Sequence, residues 1–316
     1  MSEVTAGQEA GTEPAFRCAT AARERRDPML GTAAPGRRWL LVEYPAGWAR
    51  AALDSPDFPP GAAQELEQAA LSVRGRVVLI RRPGRQPKDA PRRWGVVDHG
   101  GAQQWGWWRD ADDLTEAARV LRAGPAPTSG DAQGEPDQAA YPLLLVCTHG
   151  RHDACCAIRG RPVAEALARR WPERTWECSH IGGDRFAANL LVVPDGTVYG
   201  GLDPESAVQV VDRHLAGHVD PVHLRGFSAH PPVVQNALAA VLRSHGPGAP
   251  DDVTPGRVDQ TGPDEWVVEV MGRGASPPRT VVTVTRSTQP PAQLTCRGAA
   301  DTTAYVYAVR LGQDGR

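Results

Sequence analysis

Lysine is nearly absent from this chain: of its 35 basic side chains all but one are arginine, the exception being Lys88. That skew reads as genomic composition bias and carries no functional weight. Long hydrophobic runs are also lacking. No stretch approaches the roughly 20 apolar residues of a transmembrane helix, so no membrane span is expected. The N-terminus, MSEVTAGQEAGTEP, is polar and acidic and has no apolar core of a signal peptide. Neither sign of charge dominates, since 37 acidic residues nearly cancel the 35 basic ones. No long-range field is therefore available to draw in nucleic acid or an anionic membrane. There is no GxSxG elbow, no P-loop, no GxGxxG after a strand and no HExxH. What remains is the expectation of a cytoplasmic protein, where disulfides are rare and cysteines more often bind metal or do redox chemistry. Six cysteines are present, at 18, 147, 155, 156, 178 and 296, and four of them fall in one short segment.

The 316 residues are comfortable for two domains, and 41% hydrophobic residues suffice for real cores. Residues 1–14 read as a disordered tail, 15–122 as an N-terminal α/β domain, and 123–140, rich in Pro, Gly, Ser and Asp, as a linker. In the N-terminal domain, strands are expected at 38–44 (RWLLVEY), 76–82, 94–98 and 104–108. Helices are expected after Ala62 and over 114–122, the latter capped by Asp112 or Asp113. Residues 141–221 form the next expected domain. It opens with LLLVC at 143–147, a continuous apolar run suited to a strand buried on both faces. A helix is expected over 160–171, a strand over 175–178, and a hairpin around Pro194-Asp195-Gly196. A further helix is opened by Asp203-Pro204. Strand, helix, strand, hairpin, helix is the order of a thioredoxin-like fold. Residues 222–316 then supply an extension packed on the core, with a helix over 233–245 and strands at 266–270, 280–285 and 305–310.

The central segment carries the chemistry. It reads CTHGRHDACCAIRGRPVA from Cys147 and WECSHIGGDRFAANLLVVPDGTVYGGL from Trp176. Thiolates are good soft ligands for iron or zinc, and neutral imidazole serves both. The eight residues between Cys147 and Cys156 can turn both sulfurs toward one point. His180 and Asp184 are three residues apart with two glycines between, so both can reach the same centre while the backbone approaches closely. His149 and His152 are read as groups lining the loop, and Asp153 and Arg151 as structural. Cys155 and Cys156 are each weighed as buried hydrophobes or as a thiol pair. Cys18 and Cys296 read as lone thiols, and Trp105, Trp107 and Trp108 as packing groups.

Those two segments resemble the sucrase/ferredoxin-like family, related to thioredoxin-like 2Fe–2S ferredoxins. The resemblance covers residues 141–217 closely. It implies an α/β fold with a thioredoxin-like ferredoxin domain, and a 2Fe–2S cluster on Cys147, Cys156, His180 and Asp184. In family members from fungi the later pair is two histidines, whereas this chain has Asp184 at the second position. The fourth ligand is therefore open between Asp184, Cys178, Cys155 and Cys296. The function implied is one-electron transfer between a reductase and an acceptor, or service as a reductase component. No carboxylate pair supports the sucrase half of the family name. Two other readings stand beside it: a structural zinc protein using the same ligands, and a thiol-dependent redox enzyme working through Cys155 or Cys156.

Overall fold

Arg38–Glu43 forms β1, whose four central residues are all buried, and a computed structural model shows what lies on its two sides. The structure describes residues 15–84, 91–125, 142–246 and 248–312. The tail expected over 1–14 and nearly all of the linker at 123–140 lie outside the described residues.

The first half runs β1, α2 (Ala62–Ser72), β2 (Arg76–Arg81), β3 (Arg92–Asp98), β4 (Gln103–Trp108) and α3 (Ala111–Ala123), preceded by α1 (Cys18–Arg25). Here β1 and β2 are parallel, while β3 pairs antiparallel with β1 and β4 antiparallel with β3. The cap of α3 is Asp110, whose side chain accepts from the amides of Asp112 and Asp113, the two residues expected to cap. Those two instead supply negative charge in the first turn, where the helix dipole favours it.

The second half repeats the order: β5 (Leu143–Cys147), α4 (Ala154–Arg170), β6 (Thr175–Cys178), β7 (Leu190–Val193), β8 (Thr197–Tyr199) and α5 (Pro204–Leu215). Again the first two strands are parallel, the third is antiparallel to the first and the fourth to the third. This is the thioredoxin-like arrangement, present twice. The halves join edge to edge where β2 meets β6 antiparallel, with Ile80 opposite Cys178. With β9 (Leu224–Phe227) added, the sheet has nine strands in the order β4-β3-β1-β2-β6-β5-β7-β8-β9.

Helix α4 starts at Ala154, six residues before the expected start at 160. Asp153 caps it, and Pro162 sits inside the helix. Gly160 is required there: a Cβ would lie 2.1 Å from the Cys147 carbonyl oxygen, so only glycine lets α4 press against β5.

Alternation along the strands sends side chains to two faces. Leu40 and Val42 join α2 and α3 in one core, and Leu144 and Val146 join α4, α5 and α6 (Pro232–His245) in another. Among the described residues, the opposite faces pack against no helix apart from the first turn of α4. They form a shared core of Trp39, Leu41 and Ile80 from the first half with Leu145, Trp176 and Leu191 from the second. Cys147, Cys156 and Cys178 belong to this shared core. The remaining strands, β10 (Val253–Gly262), β11 (Glu265–Gly272), β12 (Thr280–Thr288) and β13 (Tyr305–Leu311), make a four-stranded antiparallel sheet. Its buried valines at 268, 270, 282 and 284 pack with α6 into the second half's core.

Candidate metal centre

Two connections of the second half, β5–α4 and β6–β7, meet at one end of the sheet. Cys147 is the last residue of β5, Cys156 lies in the first turn of α4, and His180 and Asp184 follow β6. The chain leaves β5 through a tight turn in which the His149 carbonyl accepts from the amides of His152 and Asp153. Asp153 then accepts from the Cys155 amide at 2.9 Å and launches α4, which aims Cys156 back at Cys147.

Cys147 Sγ, Cys156 Sγ and a His180 ring nitrogen all lie within 4.8 Å of one another. Asp184 closes the group, with its Oδ1 3.2 Å from Cys156 Sγ and 2.9 Å from His180 Nδ1. His180 Nδ1 is off the line a hydrogen bond needs, and this buried nitrogen has no hydrogen-bond partner. His152 stacks on His180 with ring centroids 3.8 Å apart, its Nε2 3.8 Å from Asp184 Oδ2.

Cys147, Cys156 and His180 thus converge, Asp184 lies against Cys156 and His180 in a second group with His152, and the other candidates for the fourth position lie elsewhere. Cys178 is fully buried in the shared core and joins no cluster of convergent ligand atoms among the described residues. Cys155 and Cys296 converge instead with Cys18 and Asp153. Cys155 and Cys156 therefore point into different clusters and do not face each other as a dithiol.

Around this group the chain supplies a polar frame. His149 accepts the His180 amide on Nδ1 at 3.2 Å and contacts the Ala49 carbonyl through Nε2 at 2.6 Å. A carbonyl accepts only, so His149 is the Nε2–H tautomer, and both its nitrogens are occupied. Beneath the loop lies Arg225 of β9, fully buried, donating to the Gly182 carbonyl at 2.8 Å and Asn189 Oδ1 at 2.9 Å. Asn189 in turn donates to the Gly183 carbonyl at 2.9 Å. Gly183 has φ +78, and a Cβ there would lie 2.2 Å from the Arg225 guanidinium. The sequence reading missed Arg225. A buried arginine in a short apolar strand is the signal that marks it, since such a charge is kept only where it has partners.

The charges are coupled. Contact with the Cys156 thiol holds the Cys147 thiol well below its ordinary range against the cost of burial, and His180 adds to this. That thiolate, with burial and Asp184, pushes the Cys156 thiol up. Burial works against a charged His180, yet Asp184 and Cys147 outweigh it and raise the imidazole to about 9. Burial likewise opposes ionisation of Asp184, and His180 reverses the direction, holding the carboxyl below its usual range. Burial brings Arg225 down to about 10, with Asp184 and Cys147 sustaining its charge. Two thiols, a cationic imidazole and a carboxylate packed this closely can exchange their protons for a metal.

A model of the sucrase/ferredoxin-like family matches residues 29–226, more than half of the chain. Among solved structures, a cysteine-to-serine variant of the thioredoxin-like [2Fe-2S] ferredoxin from Aquifex aeolicus is 21% identical, with a TM-score of 0.24. That match covers 27% of this chain and 97% of the ferredoxin. A search among curated proteins returns no match. No helix among the described residues is long and apolar enough to cross a membrane.

Proposed function

Because the chain belongs to the sucrase/ferredoxin-like family, we propose that it is a one-electron carrier whose 2Fe–2S cluster is held by Cys147, Cys156, His180 and Asp184. The observation that carries this reading is the convergence of two thiols and an imidazole nitrogen, with the Asp184 carboxylate against one of the thiols and the imidazole. The donor set fits: soft thiolates and imidazole are ligands that iron–sulfur centres use. When bound, the cluster supplies a single-electron couple.

The chain's own residues do the rest. With Cys147 favoured as the thiolate, the pair gives up the single proton that Cys156 keeps, and His180 loses the proton that Asp184 and Cys147 favour on it. Arg225, held by four hydrogen bonds to Thr32, Gly182 and Asn189, keeps a positive charge under the loop and offsets the thiolates. Trp176, Ile181 and Leu191 shield the sulfurs from water. The His152–His180 edge is the accessible side, with 35% and 24% of these side chains exposed. A groove of about 800 Å³ runs from it along Arg50, Leu53, Glu67 and Arg76. This groove is where a reductase or acceptor protein docks in the proposal.

Replacing one thiolate by neutral imidazole raises the potential, as in Rieske centres. With two thiolates, one imidazole and one carboxylate, the oxidised cluster carries a formal charge of roughly −1. Its potential is expected between the all-cysteine and two-histidine extremes. Anaerobic reconstitution is expected to give a red-brown protein with acid-labile sulfide and an electron paramagnetic resonance signal on reduction. Protein that stays colourless and holds zinc at these residues would sink the proposal. For the fourth ligand, Asp184→Ala is expected to change the reduced-state spectrum while Cys178→Ala preserves it. A structural zinc ion is the second reading, favoured by one observation: a single ion can also fill the space between atoms within 4.8 Å of each other.

A further inference from the structure

We propose that Cys18, Cys155, Cys296 and Asp153 form a second metal site, a closed four-coordinate centre for a zinc ion, separate from the 147–184 centre.

These four side chains come from three distant parts of the chain. Cys18 opens α1, Asp153 and Cys155 begin α4, and Cys296 lies in the connection between β12 and β13. Their ligand atoms all fall within 4.8 Å of one another. Cys155 Sγ is 3.5 Å and Cys18 Sγ 3.6 Å from Cys296 Sγ, and Cys18 Sγ is 3.6 Å from both Asp153 oxygens. A tetrahedron built on Zn–S bonds of about 2.3 Å has edges of about 3.8 Å. A zinc ion therefore needs only a slight expansion of the spacing already present.

The surroundings are those of a thiolate–metal site. Helix α1 has no side-chain cap at Arg17. With Cys18 as its first residue, the positive end of α1 lies at the cluster, where it favours charged sulfur. Asp153 accepts the Cys155 amide on Oδ1 at 2.9 Å and the Cys296 amide on Oδ2 at 2.8 Å. The Cys18 thiol faces the remaining lone pair of each oxygen at 3.6 Å. Among the described residues no basic side chain pairs with this buried carboxylate, whose donors are two amides and the Cys18 thiol. Cys18, Cys155 and Asp153 are buried and Cys296 half-buried, which suits a closed structural site with no open coordination position. A disulfide accounts for the arrangement less well, because any pairing of three thiols leaves one thiol and the carboxylate over.

Three thiolates and a carboxylate select zinc over magnesium or calcium, which take oxygen ligands. Binding replaces the remaining thiol protons with the metal and releases them to solvent, with no change of oxidation state. The ion joins residues 141 and 278 positions apart in sequence, tying α1 and the β12–β13 connection to the start of α4. Closing loops this long is where a metal clip constrains the unfolded chain most. Cys18 and Cys296 both lie outside the segment matched by the family model, so the site is additional to what that segment shares.

The test uses the full chain with Cys147→Ser and Cys156→Ser, which removes the first ligand set, titrated with zinc alone against a chromophoric chelator. One zinc per chain is expected, and adding Cys18→Ser or Cys296→Ser is expected to weaken it more than about 100-fold. Cobalt in place of zinc should give the strong visible bands of a tetrahedral thiolate site, altered but not lost in Cys296→His, which guards against a serine variant that fails to fold. The proposal is overturned by absence of zinc from the parent chain, or by zinc retained in both serine variants. It is equally overturned by iron with sulfide at these cysteines, or by an intact mass lower by two hydrogens that locates a disulfide among them.

Discussion

The two halves of the large sheet share strand order, strand direction and helix placement, yet among the described residues only one gathers metal-binding side chains. The Ile80–Cys178 pair relates them. Glu43 pairs with Ile80 as Cys147 pairs with Cys178, so Glu43 stands where Cys147 stands. After β5 a short turn leads directly into α4 and its cysteine pair; after β1 the chain takes a longer path to α2. That path is put to use across the seam. Trp48 sets its edge against the His149 ring at 5.6 Å, Ala49 contacts His149 Nε2 through its carbonyl, and Arg50 contacts His152 in the same way. The half without ligands is the wall that holds the other half's histidines. Topology alone therefore does not make the site; the first turn of one helix and the β6–β7 connection do.

The sharpest way to break this comparison is at the matched strand ends. Cys147→Ser is expected to remove the visible chromophore and stoichiometric iron after reconstitution. Glu43→Gln is expected to leave both intact, as measured by absorption and iron analysis. Iron retained in the serine variant would remove the distinction drawn between the halves.

Next in size is a pair of glycines in the connections that follow β2 and β6. Gly84 has φ +89 with nothing within 4 Å of a would-be Cβ, whereas Gly183 adds a 2.2 Å clash with Arg225 to its φ of +78. Gly84→Ala is expected to cost about 1 kcal/mol from backbone strain alone. Gly183→Ala is expected to cost about 3 kcal/mol, the same strain plus displacement of a buried side chain. Denaturant titration of both variants reads the difference, and equal losses would show that Arg225 yields freely.

A smaller effect is expected at the wall itself. Trp48→Phe keeps an aromatic ring but loses the 3.2 Å bond from Nε1 to the Tyr44 carbonyl and alters the contact with His149. A loss of about 1 kcal/mol is expected, together with a shifted reduction midpoint and unchanged iron content. An unshifted midpoint would mean that the first half does not tune the centre.

Much of this was legible because local rules suffice for it. The run 143–147 forms a strand buried on both faces. The Pro194-Asp195-Gly196 turn joins β7 and β8, and Asp203 with Pro204 opens α5 through a capping box. The convergence of Cys147, Cys156, His180 and Asp184 follows from short spacing and two glycines. What was not legible depends on distant residues. Helix α1 is eight residues without a side-chain cap, held by burial of Cys18, Ala19 and Ala22. Strand β9 breaks apolar alternation with Arg225, and β10 contains Pro255 and Gly256 with most of its side chains exposed or half-buried. The meeting of Cys18, Cys155 and Cys296 leaves no periodicity at all, because the partners are more than a hundred residues apart. The repeat of the two halves is equally hidden: it lies in strand pairing and not in shared residues.

The smallest expected effect returns to Glu43 and concerns pH. Burial, the largest influence, raises its carboxyl above the ordinary range, and the Arg93 amide and neighbouring arginines only partly offset it. A carboxyl raised on folding holds its proton more tightly in the native state than in the unfolded chain. Between the unfolded and folded values the native state binds more protons, so stability falls as pH rises through that window. The penalty is absent below the window and complete above it. Glu43→Gln, which keeps an acceptor for the Arg93 amide without the charge, is therefore expected to be more stable than the parent at neutral pH and nearly equal to it below the window. Thermal unfolding of both chains across that range checks the sign. At Cys147, the matching position, a charged thiolate has His180 close by; at Glu43 the charges of Arg82, Arg93 and Arg92 offset burial only in part, and a variant with no gain at neutral pH would mean that they offset it fully.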